Sequence, residues 1–90
     1  MKPSTEEIEA RLRGHFGEVL IQVQDDSHLH AGHAGAEGGA GHYTVRIISD
    51  RFEGLRPLAR HRLVYDAVKD WMPGRIHALS IEARTPSEPR

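Results

Sequence analysis

The sequence predicts an α+β domain in which two helices pack on one face of a three-stranded sheet, in the order α-β-β-α-β. Three observations predict it. Apolar residues recur at helical spacing in two segments. They alternate with polar residues in three others. Two of the strand segments follow one another between the helices, which segregates the elements instead of repeating a strand-helix unit. Ninety residues make one domain, and a chain of this size buries roughly 60–65% of its unfolded surface. That core is too small to enclose a deep active-site cavity.

Ser4-Thr5-Glu6-Glu7 is a capping box, with a serine at the cap and a glutamate three residues on. Ile8, Leu12 and Phe16 follow at helical spacing and Gly17 is a natural stop, so a helix is expected over Ser4–Phe16. Val19, Ile21 and Val23 alternate with Leu20, Gln22 and Gln24, which reads as a half-buried strand ending at Asp25-Asp26. Ser27 to Gly41 holds five glycines and four alanines, with Glu37 its one charged residue. It is expected to be a long loop, and loops of that length in compact domains serve function or stay disordered. Tyr43, Val45 and Ile47 alternate with His42, Thr44 and Arg46. This second strand pairs most simply with the first as an antiparallel hairpin.

Asp50 to Gly54 reads as a turn, and Pro57 suits the first position of a helix. Leu58, Val64 or Tyr65, Val68, and Trp71 or Met72 form the expected apolar stripe, ended by Pro73-Gly74. Ile76 to Ala83 is the third strand, with His77, Leu79, Ile81 and Ala83 sharing one parity. The domain is expected to span residues 1–84, with a flexible C-terminal tail over 85–90.

The formal net charge is -1, which argues against a general nucleic-acid-coating protein. With no cysteine, neither a disulfide scaffold nor a thiolate zinc site can form. No secretory apolar region or membrane-length apolar run is present, so the expectation is a cytoplasmic protein. No nucleophilic elbow, phosphate loop or thiol nucleophile suggests an enzyme. Asp25 and Asp26 are adjacent at a strand end, so their side chains diverge. They are expected to cap the loop and not to act as an acid-base pair.

His28, His30 and His33 crowd into one short segment. Any metal bound by this chain must therefore take nitrogen and oxygen ligands, with thiolates supplied from elsewhere. Three imidazoles in a glycine-flanked loop can hold zinc weakly, but the aspartate of metallo-hydrolase histidine motifs is missing. His77, judged by parity alone, is a half-buried structural histidine. His61 is expected at the edge of the buried stripe, with Arg60 and Arg62 pointing away.

The stretch Asp25-Asp26-Ser27-His28-Leu29-His30-Ala31-Gly32-His33 resembles the strand-to-loop segment of BolA-like proteins. Ser49-Asp50-Arg51-Phe52-Glu53-Gly54 and Arg60-His61-Arg62-Leu63-Val64-Tyr65 resemble that family's turn and second helix. Ile76-His77-Ala78-Leu79 resembles the opening of its last strand. The three blocks occur in the family's order. The resemblance implies a KH-like fold of type II order and a non-catalytic partnership with a monothiol glutaredoxin. It further implies a bridging [2Fe-2S] cluster, shared with glutaredoxin and glutathione, with none expected for the isolated protein. The family's ligand positions are matched by His77 and best by His30, with His28 and His33 as further candidates in the loop. Gly41-His42-Tyr43 departs from the Ser/Thr-His-Phe that often enters the family's second strand. Imidazole ligation is expected to weaken on acidification, because a protonated ring cannot ligate.

Arg46, Arg51, Arg56, Arg60 and Arg62 concentrate positive charge in mid-chain. Arg51, Arg56, Arg60 and Arg62 are candidates for a partner or nucleic-acid surface. Some bacterial members of the family are described as transcriptional regulators, so DNA binding through the second helix is the alternative function. The matching place lacks a Gly-x-x-Gly loop, which weakens an RNA clamp.

Overall fold

The computed structural model describes residues 2–30 and 40–89. Its elements are α1 (Thr5–Phe16), β1 (Leu20–Asp25), β2 (Gly41–Ile48), α2 (Pro57–Val68) and β3 (Ile76–Arg84). Short 3-10 turns occupy Ser27–His30, Asp50–Phe52 and Lys69–Trp71. The predicted α+β order holds. The loop after β1 opens with an ordered turn at Ser27–His30 instead of running free from Ser27. His33 and the side chain of His30 lie outside the described residues.

The capping box forms in both directions. The Glu7 amide donates to Ser4 Oγ at 3.0 Å, and the Ser4 amide donates to Glu7 Oε1 at 2.9 Å. Two amides at the helix start are thereby satisfied. Gly17, at φ 80°, takes the left-handed conformation that ends the helix. Ile8, Leu12 and Phe16 are buried.

The sheet order is β1-β2-β3. β1 pairs antiparallel with β2 from Leu20↔Ile48 to Asp25↔Tyr43, and β2 pairs parallel with β3. The end of β1 and the starts of β2 and β3 therefore meet at one end of the sheet. Ile21, Tyr43, Val45 and Ile47 face the helices and join Ile8, Leu12, Phe16, Val64, Ala67, Val68 and Phe52 in one core. Leu20, Gln22, Gln24 and Arg46, on the opposite parity, are exposed.

Several expectations for α2 and its neighbours need correction. The buried side of α2 is Val64, Ala67 and Val68, while Leu58 and Tyr65 are 65% and 43% exposed. The helix also ends at Val68, so Trp71 and Met72 pack against the core from the turn that follows. In the segment after β3, Thr85 is buried and its amide donates to Glu88 Oε1 at 2.7 Å. Arg60, expected to point away, reaches inward to hold that segment. It donates to Glu88 at 2.6 and 3.1 Å and to the carbonyls of Leu55 (2.8 Å) and Ala83 (3.2 Å). A planar guanidinium can satisfy all of these at once. His61, expected at the core edge, is exposed.

Candidate functional site

The histidines gather at the sheet end where β1 stops and β2 and β3 begin. Asp25 and Asp26 build a clasp there. Asp25 Oδ1 accepts from the Ser27 amide at 2.9 Å, and its Oδ2 accepts from Lys2 Nζ at 2.8 Å. Burial alone would raise the Asp25 carboxyl, but the hydrogen bonds from Lys2 and Ser27 outweigh it and hold the group down at about 2. Asp26 accepts from Thr44 Oγ1 at 2.6 Å and Gln24 Nε2 at 2.7 Å. The two aspartates thus fasten the hairpin and the start of the loop, as their position predicts.

The same clasp grips His42. The Asp26 amide donates to the His42 carbonyl at 2.7 Å, and the His42 amide donates to Ser27 Oγ at 3.1 Å. The turn Ser27–His30, which carries His28 and His30, is thereby stitched to the first residues of β2. His28 is exposed.

A register shift places His77. Gly41 pairs with Ile76, but His42 pairs with Ala78, so β3 holds one extra residue at His77. Ile76 is fully buried and Leu79, three residues on, packs against the core. The residues between them, His77 and Ala78, are both exposed. Strand parity therefore misleads at His77: the bulge breaks it and turns the side chain from the core toward the side occupied by His42. The two imidazoles pack with ring centroids 5.1 Å apart and planes at 44°.

His42 is the residue that sequence reasoning passed over. Its signal was its place in the polar set His42, Thr44, Arg46, which puts it on the helix-free face. It is buried, with 8% of its surface exposed. Behind it, Tyr43 is fully buried and its hydroxyl donates to the Pro3 carbonyl at 2.5 Å. Burial raises that phenol to about 12. Gly41 is required by this ring, because a Cβ there would lie 2.5 Å from Tyr43 Cε2.

Chemically, the pole offers an exposed imidazole on a sheet-held backbone, a second imidazole packed on it, and loop histidines tied to the same strand. Among the described residues, no group of three or more His, Cys, Asp or Glu is arranged to hold a metal ion. Each exposed imidazole can offer one ring nitrogen to a metal or a hydrogen-bond donor. Among the described residues the imidazoles do not assemble a self-contained metal centre.

The candidate arginines do not converge. Arg60 is engaged with Glu88. Arg51 donates to the His15 carbonyl at 2.5 Å and lies 5.0 Å over the Phe16 ring. Arg56 and Arg62 are exposed. Among the described residues no helix is long and apolar enough to cross a membrane.

The model of the BolA-like protein family matches residues 12–88. SufE-like protein 1, chloroplastic/mitochondrial, from Arabidopsis thaliana is 43% identical over 86 residues, covering 90% of this chain and 23% of that protein. The DNA-binding transcriptional regulator BolA of Vibrio cholerae is 40% identical over 81 residues, covering 90% of this chain and 74% of that protein. The solved BolA domain of SufE1 from Arabidopsis thaliana superposes with a TM-score of 0.83 at 38% identity, covering 99% of each chain. The chain spans only 57% and 60% of the mouse and human relatives it matches. With the bulged strand, the clasped hairpin and these likenesses together, the chain belongs to the BolA-like protein family.

Proposed function

We propose that this protein is a non-catalytic partner of a monothiol glutaredoxin. In this reading it co-ligates a bridging [2Fe-2S] cluster through histidine, in iron-sulfur cluster trafficking or iron sensing. The observation that carries the reading is His77, turned outward by the β3 bulge and packed on His42. A ligand on a hydrogen-bonded strand keeps its position without help from the metal. His77 is the strand-held nitrogen ligand, and a histidine of the neighbouring loop, His30 ahead of His28 or His33, is the second. The cluster, when bound, supplies one-electron redox chemistry. Nitrogen in place of thiolate on one iron raises its potential. The role of His42 is to support the His77 ring, as outer groups around metal-binding histidines do.

The experiment mixes the purified protein with a cluster-loaded, glutathione-bound monothiol glutaredoxin. Visible circular dichroism and size-exclusion mass are followed for wild type and His77→Ala. A one-to-one complex with a new spectrum, altered in the variant, is expected. Identical spectra for both proteins would remove His77 from the ligand set, and no complex would remove the partner.

A second reading, a DNA-binding regulator that uses α2, draws on the description of the Vibrio relative and on the exposed Arg56 and Arg62. Arg60 does not enter it, being engaged with Glu88. This reading expects affinity for duplex DNA that falls steeply with salt and is lost in Arg56→Glu with Arg62→Glu. Weak, sequence-independent binding at physiological salt would count against it.

A further inference from the structure

The outer side of α2 differs from the rest of the surface in two independent ways. Among the described residues, two of the three large hydrophobic residues that stand exposed are on it, Leu58 at 65% and Tyr65 at 43%. Seven residues apart on one helix, they lie on one stripe, opposite the buried Val64 and Ala67. The second difference is charge. Among the described residues, Arg56, Arg62 and Lys69 are the three cations with no ion pair or hydrogen bond from their side chains. Every other described Lys and Arg is ion-paired or, for Arg51, hydrogen-bonded to backbone. Helical geometry places Arg62 and Lys69 on the same stripe as Leu58 and Tyr65, and Arg56 at its N-terminal end. One carboxylate, Asp66, stands on its flank and pairs with none of them.

We infer that this stripe is a docking surface for a second protein partner, one that presents apolar side chains flanked by carboxylates. Tyrosine and arginine are the side chains most enriched where interfaces carry their binding energy. Unpaired arginines at the rim steer an acidic partner and select against a basic one. A phosphate backbone would engage three cations and leave Leu58 and Tyr65 without a role, so the composition favours an acidic protein over nucleic acid. The stripe lies on the helix side of the sheet, whereas His42 lies on the helix-free side. The inference is thus independent of the cluster reading. It makes the protein two-sided, with a histidine pole and a separate α2 face.

The test uses the full chain, isotopically labelled, and four probes. These are a helix-forming peptide with a leucine ridge flanked by glutamates, a scramble of that peptide, a lysine counterpart, and a DNA duplex. Saturable binding of the acidic ridge peptide is expected, with amide shifts concentrated over Leu58–Lys69. Leu58→Ser with Tyr65→Ser should weaken it at least about ten-fold. Both side chains are exposed, so the thermal melt of that variant should match wild type. The triple reversal Arg56→Glu, Arg62→Glu and Lys69→Glu should transfer preference to the lysine peptide. Equal binding of the scramble, shifts centred elsewhere, or no binding by about 1 mM would overturn the inference. Tighter DNA binding that ignores Leu58 and Tyr65 would overturn it in favour of nucleic acid. Self-association lost in the Leu58→Ser, Tyr65→Ser variant would overturn it in favour of a second copy.

Discussion

The histidine pole and the junction of α2 with the C-terminal segment are both fastened by carboxylates, to opposite effect. At the pole, Asp25 accepts from the Ser27 amide and Lys2, and Asp26 accepts from the side chains of Gln24 and Thr44. That leaves the imidazoles of His28 and His77 exposed on a held backbone. At the junction, Glu88 binds the arginine itself, so Arg60 is consumed by the fold. An acid that fastens the groups around a functional side chain leaves that side chain available. An acid that fastens a functional side chain removes that side chain from the surface.

The largest expected effect comes from breaking the pole from within. Gly41→Ala drives a Cβ into the buried Tyr43 ring, which cannot yield while its hydroxyl holds Pro3. Overpacking of this kind costs about 1–3 kcal/mol, read as a lowered denaturant midpoint. An unchanged midpoint would show that the ring is free to move. Tyr43→Phe comes next. It leaves the Pro3 carbonyl without its donor and should cost about 1 kcal/mol, with faster exchange of amides at the start of β2.

Arg60→Ala sharpens the comparison at the other end. It should release the 85–89 segment, seen as loss of amide protection at Thr85, while glutaredoxin binding persists. Loss of complex formation with the segment still protected would return Arg60 to the docking surface. The pH dependence is smaller and has a definite sign. Asp25 and Glu88 are each held at about 2, below the ordinary carboxyl values of 3.8 and 4.5. Their contributions are therefore complete above those ordinary values and are lost as pH falls toward 2. Asp25→Asn should flatten the acid limb of the stability profile, and an unchanged limb would show that the clasp does not depend on charge. His77→Ala should move stability least, within about 0.5 kcal/mol for an exposed side chain.

Much of this was legible in the residues because local chemistry decided it. The Ser4–Glu7 box and Gly17 bound α1, alternation placed β1 and β2, and Pro57 opens α2. What could not be read was set at a distance. The outward turn of His77 depends on how β3 registers against Gly41 and His42, and no pattern within β3 reveals a residue inserted opposite another strand. Arg60 looked free because its partner lies 28 residues further along. Leu58 looked buried because its spacing to Val68 suits a stripe, yet it shares with Tyr65 the side of the helix opposite Val64 and Ala67.

The most direct measurement labels this chain alone with 15N-histidine and bridges it through the cluster to unlabelled glutaredoxin. Pulsed EPR of the reduced cluster then reads nitrogen hyperfine coupling. Ligation by His77 predicts 15N coupling from this chain in the wild type, and in His77→Ala loss of the component that His77 supplies. A cluster-loaded complex without 15N coupling would contradict it.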